Sequence, residues 1–315
     1  MKLLKTMTAA ASLVVTTSAL ACASCGCALS ADWESQGLSS ASGLRMDLRY
    51  DDVNQTQVRS GASSVSQWPV AGHEEELSTH NRYVTASLDY SADTDWGINL
   101  QLPWVLRDHA TNGLAFDGSD AGTSSTQSLG DVKVIGRYQG FSPQRNFGVQ
   151  FGLKLPTGSY TQNFSGGALA GQPLDRGLQP GTGTTDVILG AFFFDPITPD
   201  WDYFVQTLVQ APLDSRDGYK PGDALNVNVG WRYQGFDKWV PQLQFNIRAS
   251  RRDSGVNASP DDTGGRMVYV SPGVTFPVNE TVKLYGFVQV PVYQHLNGYQ
   301  LAPKVTYSVG TRFEF

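Results

Sequence analysis

The chain has 315 residues, of which 40% are hydrophobic, 11% aromatic and 17% charged, with a formal net charge of −6 at pH 7. An acidic balance without a basic stripe excludes a nucleic-acid binder. Beyond residue 21 no run of eighteen apolar residues occurs, which excludes a membrane-crossing helix. The 33 glycines, the many aromatics and the absence of helical periodicity read as an all-β chain.

Lys2 and Lys5 precede an apolar stretch from Met7 to Leu20, and Ala19-Leu20-Ala21 supplies a small-x-small cleavage site. Residues 1–21 are therefore expected to be a signal peptide that exports the chain from a bacterial cytoplasm. Without the two lysines the chain carries 21 basic and 29 acidic residues, a net charge of −8. A segment from 22 to 42 follows, and its opening "CASCGC" holds all three cysteines. Cys22, Cys25 and Cys27 are candidate ligands for one soft metal ion, since thiolates favour Cu(I) or zinc. A disulfide in an oxidising compartment and acylation of Cys22 are the competing fates. No histidine follows Cys25 or Cys27 directly, so the motif is not a c-type haem site.

From Gly43 onward, alternating segments of roughly 10–14 residues recur, each bounded by turn residues. "LRMDLRY" sets Leu44, Met46, Leu48 and Tyr50 against Arg45, Asp47 and Arg49. "WGINLQLPW" places Trp96, Ile98, Leu100 and Leu102 opposite Asn99 and Gln101. "NVNVGWRYQ" and "QLQFNIRAS" repeat the pattern, with Val227, Val229 and Trp231, then Leu243, Phe245 and Ile247, on the apolar side. The pattern predicts about twelve strands, starting near residues 43, 80, 95, 129, 146, 184, 201, 223, 239, 265, 281 and 302.

The links alternate in length. Long ones span 54–79, 108–128, 157–183, 213–222, 253–264 and a modest 293–301, while short ones centre on Ala92, Pro143, Pro196, Phe236 and Val278. An even number of antiparallel strands with long loops at one end is the outer-membrane barrel pattern. Aromatics rim the short turns: Tyr90 and Trp96, Tyr138 and Phe147, Phe194 and Trp201, Tyr233 and Trp239, and Phe276. Such a girdle suits a membrane–water interface. The chain ends inside an amphipathic strand, "TYSVGTRFEF", because the last strand must close the barrel against the first. Residues 43–315 are thus expected to form a transmembrane antiparallel β-barrel in the cell outer membrane, with both termini periplasmic. Outer-membrane lipids would surround it.

Four motifs in order carry a family resemblance: "HNRYVTASLDYSADTDWGINLQLPWVLRDH" (80–109), "SLGDVKVIGRYQ" (128–139), "FGLKLPTGSY" (151–160) and "LDRGLQPGTGTTDVILGAFF" (174–193). Over residues 43–315 the chain resembles the MetA-pathway of phenol degradation family, itself similar in appearance to long-chain fatty-acid and aromatic-hydrocarbon transporter barrels. The resemblance implies a channel for small organic molecules and no catalytic residues. The terminal phenylalanine resembles that of other bacterial barrels, whose assembly machinery reads the last strand.

Alternation predicts a lumen lined by Arg45, Asp47, Arg49, Asp131, Lys133, Arg137, Lys154, Arg232, Arg248, Lys283, Lys304 and Arg312. Twelve strands leave room for a narrow, mixed-charge passage. Pro103, Pro156, Pro212 and Pro291 fall late in outward-running strands, where they end pairing or loosen the wall enough for an apolar solute to leave sideways. Enzyme signals are weak: no G-x-S-x-G occurs, and "QPGTGTTD" lacks the ending of a phosphate-binding loop. His73, His80, His109 and His295 lie in or beside the long loops, with Glu74 to Glu76 nearby, and match no hydrolase pattern. The expected function is passive uptake of small aromatic or apolar molecules, without catalysis or a cofactor. The alternative is a barrel-anchored metal or redox accessory built on the three cysteines.

Overall fold

The computed structural model describes residues 41–65, 73–92, 95–114, 117 and 119–315. The expected signal segment and Cys22, Cys25 and Cys27 therefore lie outside the described residues. Fourteen strands follow in chain order: β1 (Gly43–Gly61), β2 (Ser63–Ser64), β3 (Glu76–Ser91), β4 (Trp96–Thr111), β5 (Gly122–Leu129), β6 (Val132–Tyr138) and β7 (Phe147–Leu155). They continue with β8 (Gly166–Gly167), β9 (Asp186–Pro196), β10 (Trp201–Pro212), β11 (Ala224–Tyr233), β12 (Val240–Ser250), β13 (Gly265–Pro277) and β14 (Val282–Glu314).

The pairings form a closed ring. From β1 it runs through β3, β4, β6, β7, β9, β10, β11, β12, β13 and β14, and β14 returns to β1. Every junction is antiparallel, which an odd number of passes cannot satisfy. The resolution lies in β14, whose residues 283–296 pair with β13 while residues 296–314 pair with β1. The element turns back on itself at Gly298, where φ is +56° and a side chain would meet the Asp262 carboxylate. Twelve passes therefore make the wall, and the ring closes on itself. The expected loop at 293–301 is largely paired strand, because Tyr293 faces Val268 and Leu301 faces Val58 in the ladder.

The faces are inverted relative to a soluble protein. Leu44, Met46, Leu48, Ile98, Leu243, Phe245 and Ile247 are exposed, while Arg45, Asp47, Gln55, Asn246 and Arg312 are buried on the opposite side. An apolar exterior around a polar interior is the arrangement hydrocarbon demands. Short connections join the strands at one end, and aromatics rim them: Trp96 lies 4.5 Å from Tyr138, and Trp201 lies 5.0 Å from Tyr233. Phe236 stacks on Trp239 at 4.8 Å. Phe194 does not join this rim. It lies on the inner face beside Phe192 and Phe204, and Phe193 takes the outward place against Tyr203.

The wall changes partners at one place. β4 pairs with β6 through Trp96–Gln101 and with β5 through Trp104–Thr111. Pro103 stands at the switch, where a proline is free of any donating role, and its carbonyl accepts from the Gly130 amide at 2.8 Å. Pro156 follows β7 directly, Pro212 ends β10, and Pro291 faces Tyr269 at a register shift. Among the described residues, β5 beyond Thr123 has no second strand partner. Lys304 departs from the expected lining. Two register shifts between Val53 and Gln57 re-phase the facing strand, so Lys304 is exposed on the outside.

Candidate functional site

The inner face carries paired charges toward the short-turn end. Arg45 reaches Asp89 at 3.2 Å, and Arg137 grips the same carboxylate from the other side. Asp47 accepts from the Tyr285 hydroxyl at 2.9 Å, and Arg49 bonds Asp51 at 2.8 Å. Arg312 and Lys283 share Glu314, at 2.9 and 3.0 Å. Arg232 bonds Asp202 through Nε, and Arg248 donates to Asn226 at 3.0 Å. Lys133 faces Lys154 across the β6–β7 ladder. These side chains share the inner face, and neighbouring opposite charges offset the cost of removing each from water.

The lining is not uniformly polar. Ile188, Phe192 and Phe204 are buried on the inner face, as are Met267 and Tyr269. Phe192 and Phe194 stack at 6.2 Å. Reading by alternation missed this aromatic strip, although a signal was present. The unbroken run "VILGAFFF" leaves no polar residue for either face of β9 between Val187 and Phe194.

The long connection 156–185 turns inward over residues 174–179, which are largely buried, while Gly166 and Gly167 pair beside β5 and the chain around them is largely exposed. Arg107, on the inner face of β4, donates to the carbonyls of Gly177 and Gln179 at 3.3 and 3.4 Å. Leu178 is fully buried, packed with Phe164 and Leu174, and Phe164 lies 6.3 Å from the His109 ring. At the partner switch the loop is locked to the wall. The Asp131 carboxylate accepts from the Gly158 amide at 3.1 Å, and from the Thr182 amide and hydroxyl at 2.9 Å each. Lys154 Nζ lies 3.1 Å from Asp131 and 3.0 Å from Asp186. A β-carbon at Gly158 or Gly181 would strike the other's backbone, so both close approaches need glycine. Asp131, Lys154 and Asp186 come from three of the sequence motifs that carry the family resemblance.

Between this loop and the neighbouring connections lies a cleft of about 710 Å³. Leu114, Phe164, Leu169 and Leu174 give it an apolar wall, and Glu74, Asp175, Arg176 and Gln179 supply polar groups. Arg176 is held over the rings of Tyr160 and Tyr219, at 4.9 and 5.1 Å. Burial pushes the Asp175 carboxyl well above its usual range, and the nearby Glu74 and Glu76 carboxylates push it the same way. Burial also raises Glu74. Glu74 and Asp175 are thus two buried acids that share the wall of the cleft.

The histidines do not converge. His73 bonds Asp262 at 3.0 Å, His80 bonds Asp52 at 2.9 Å, His109 bonds Thr79 at 2.9 Å, and His295 is exposed on the outer face. Among the described residues no group of three or more His, Cys, Asp or Glu could hold a metal ion.

Two solved structures share the architecture. An outer membrane channel from Pseudomonas putida F1 matches with a TM-score of 0.65 and 12% identity, covering 88% of this chain and 97% of the other. The β domain of the Bordetella autotransporter BrkA matches with a TM-score of 0.50 and 12% identity, covering 87% and 100%. At such identities the likeness establishes the fold, an outer-membrane β-barrel. No curated protein matches the sequence. The sequence profile described as "Putative MetA-pathway of phenol degradation" matches residues 59–302, most of the barrel, and the chain belongs to that family.

Proposed function

We propose that this barrel is an outer-membrane channel for passive uptake of small aromatic or apolar molecules. The observation that carries the reading is the cleft built by the inward loop. Its volume lies in the range that takes one small organic ligand, and an apolar wall with few polar groups is the usual composition of such a site. A ring would rest against Phe164, Leu169 and Leu174, and a hydroxyl on it would meet the Glu74–Asp175 pair. The buried strip of Ile188, Phe192 and Phe204 supports passage of the same class of solute along the inner wall. Membership of a phenol-degradation family and a barrel shared with the Pseudomonas channel both support a transport role. The partner switch at Pro103 and Gly130, where β5 beyond Thr123 has no second strand neighbour among the described residues, is the best place for a solute to leave sideways into the bilayer.

Uptake of labelled phenol, toluene and a fatty acid by a deletion strain, complemented with wild type or with Leu174→Asp, tests this. Faster uptake of the aromatic solutes with wild type, lost in the variant, is the expected result. Equal uptake by the deletion strain and the complemented strain would remove the proposal. Liposome swelling with the purified barrel gives the same answer without the cell.

A further inference from the structure

The outer wall carries a second site. On β13 the outward residues are Arg266, Val268, Val270, Pro272, Val274 and Phe276, so a single charge tops an otherwise apolar series. Phe276 belongs to the aromatic rim at the short-turn end. Ten residues separate it from Arg266, about 33 Å along the strand. At a tilt of about 40–45° that is about 24 Å of height, close to the apolar band of such barrels. Arg266 therefore stands at the opposite border of the hydrocarbon.

Its neighbours are in register. Val209 faces Leu225, Leu225 faces Ala249, Ala249 faces Arg266, and Arg266 faces His295, one row across five strands. The small Ala249 leaves a dent between larger neighbours, part of an outward groove of about 560 Å³ that Tyr293 also lines. Arg251 and Asp223 sit above it as a pair 3.1 Å apart. The Arg266 and His295 side chains are exposed and bond no described residue. An unpaired guanidinium beside lipid needs an anion at that height, and a phosphate matches its fork.

We infer that the Arg266–His295 row is a binding site for a phosphorylated glycolipid of the outer leaflet, with one phosphate on Arg266 and His295. An acyl chain would run down the groove over Ala249, against Leu225 and Val209. The site rests on the long loops facing outward and is independent of whether the barrel conducts.

Native mass spectrometry of the purified barrel in detergent, with bisphosphorylated lipid A added, tests the site. One lipid bound per barrel is expected, with occupancy lower by about tenfold or more in Arg266→Gln/His295→Gln. Ala249→Trp keeps every charge and fills the dent, and it should lose the lipid as well. The comparison on wild type alone needs no variant: dephosphorylated lipid A should bind as weakly as the double variant. Phosphatidylglycerol should bind more weakly than lipid A, and excess inorganic phosphate should not displace the lipid. Absence of bound lipid A on wild type would overturn the inference. So would equal binding of the dephosphorylated form or phosphatidylglycerol, displacement by phosphate, or unchanged occupancy in both folded variants.

Discussion

Asp131 and Thr182 are joined twice, since one carboxylate accepts both the threonine amide and its hydroxyl at 2.9 Å. This contact holds the inward loop at the one place where the wall changes partners. Asp131→Ala removes it and leaves Lys154 with Asp186 and the hydroxyls of Thr182 and Thr184. Breaking a buried charged network costs about 3–5 kcal/mol, and the remaining partners argue for about 3. Single-channel conductance in a planar bilayer should rise several-fold while the barrel stays folded on an unheated gel. Unchanged conductance would mean that the loop is not the constriction.

Arg107 clamps the same loop from β4 through two carbonyls. Arg107→Ala should loosen the buried segment 174–179, and cleavage there should accelerate by about tenfold, the signature of a lowered local opening energy. Timed proteolysis of wild type and variant in detergent decides the point. Identical cleavage rates would assign the loop's position to its own packing around Leu178.

Docking of the loop should weaken as pH rises. The folded Asp175 and Glu74 carboxyls have raised pKa values, so the docked state binds protons that the released loop gives up. The stabilisation is full below the ordinary carboxylate range and is lost as pH climbs through the raised folded values. Asp175→Asn should flatten the profile and keep the loop docked at high pH. Proteolysis or conductance measured from pH 4 to 9 checks it, and a wild-type profile as flat as the variant's would refute the assignment.

The C-terminus closes the ring. Phe315 donates its amide to the Leu44 carbonyl at 2.9 Å, while its side chain is 74% exposed toward the lipid side. Phe315→Asp places a charge at that border and removes the aromatic that the assembly machinery is expected to read. Barrel in the outer-membrane fraction should fall several-fold with synthesis unchanged, by immunoblot of fractionated cells. Normal levels would separate assembly from the last residue.

A protease site inserted at Gly166 should be cut on intact cells, and one at Asp237 should not. These residues lie at opposite ends of the strands, in the long connection 156–185 and the short turn after β11. The reverse pattern would invert the orientation that places both termini in the periplasm.

Period-two alternation let the sequence by itself determine the wall. Leu44, Met46 and Leu48 against Arg45 and Asp47 state which face meets lipid, and the spacing of turns states how many passes are needed. Both signals are local, and hydrocarbon admits only a closed sheet as their solution. Tertiary structure decided what alternation could not carry. The register shifts opposite β14 put Lys304 outside, and "VILGAFFF" turned Phe192 and Phe194 inward, because phase along a strand depends on the neighbouring ladder. The inward fold of residues 156–185 was illegible for a different reason. Asp131, Lys154 and Asp186 are separated by more than twenty residues at each step, and only the pairing of β6 with β7 and of β7 with β9 brings them side by side. A loop's path is set by such distant partners, whereas a strand's two faces are set by its own residues.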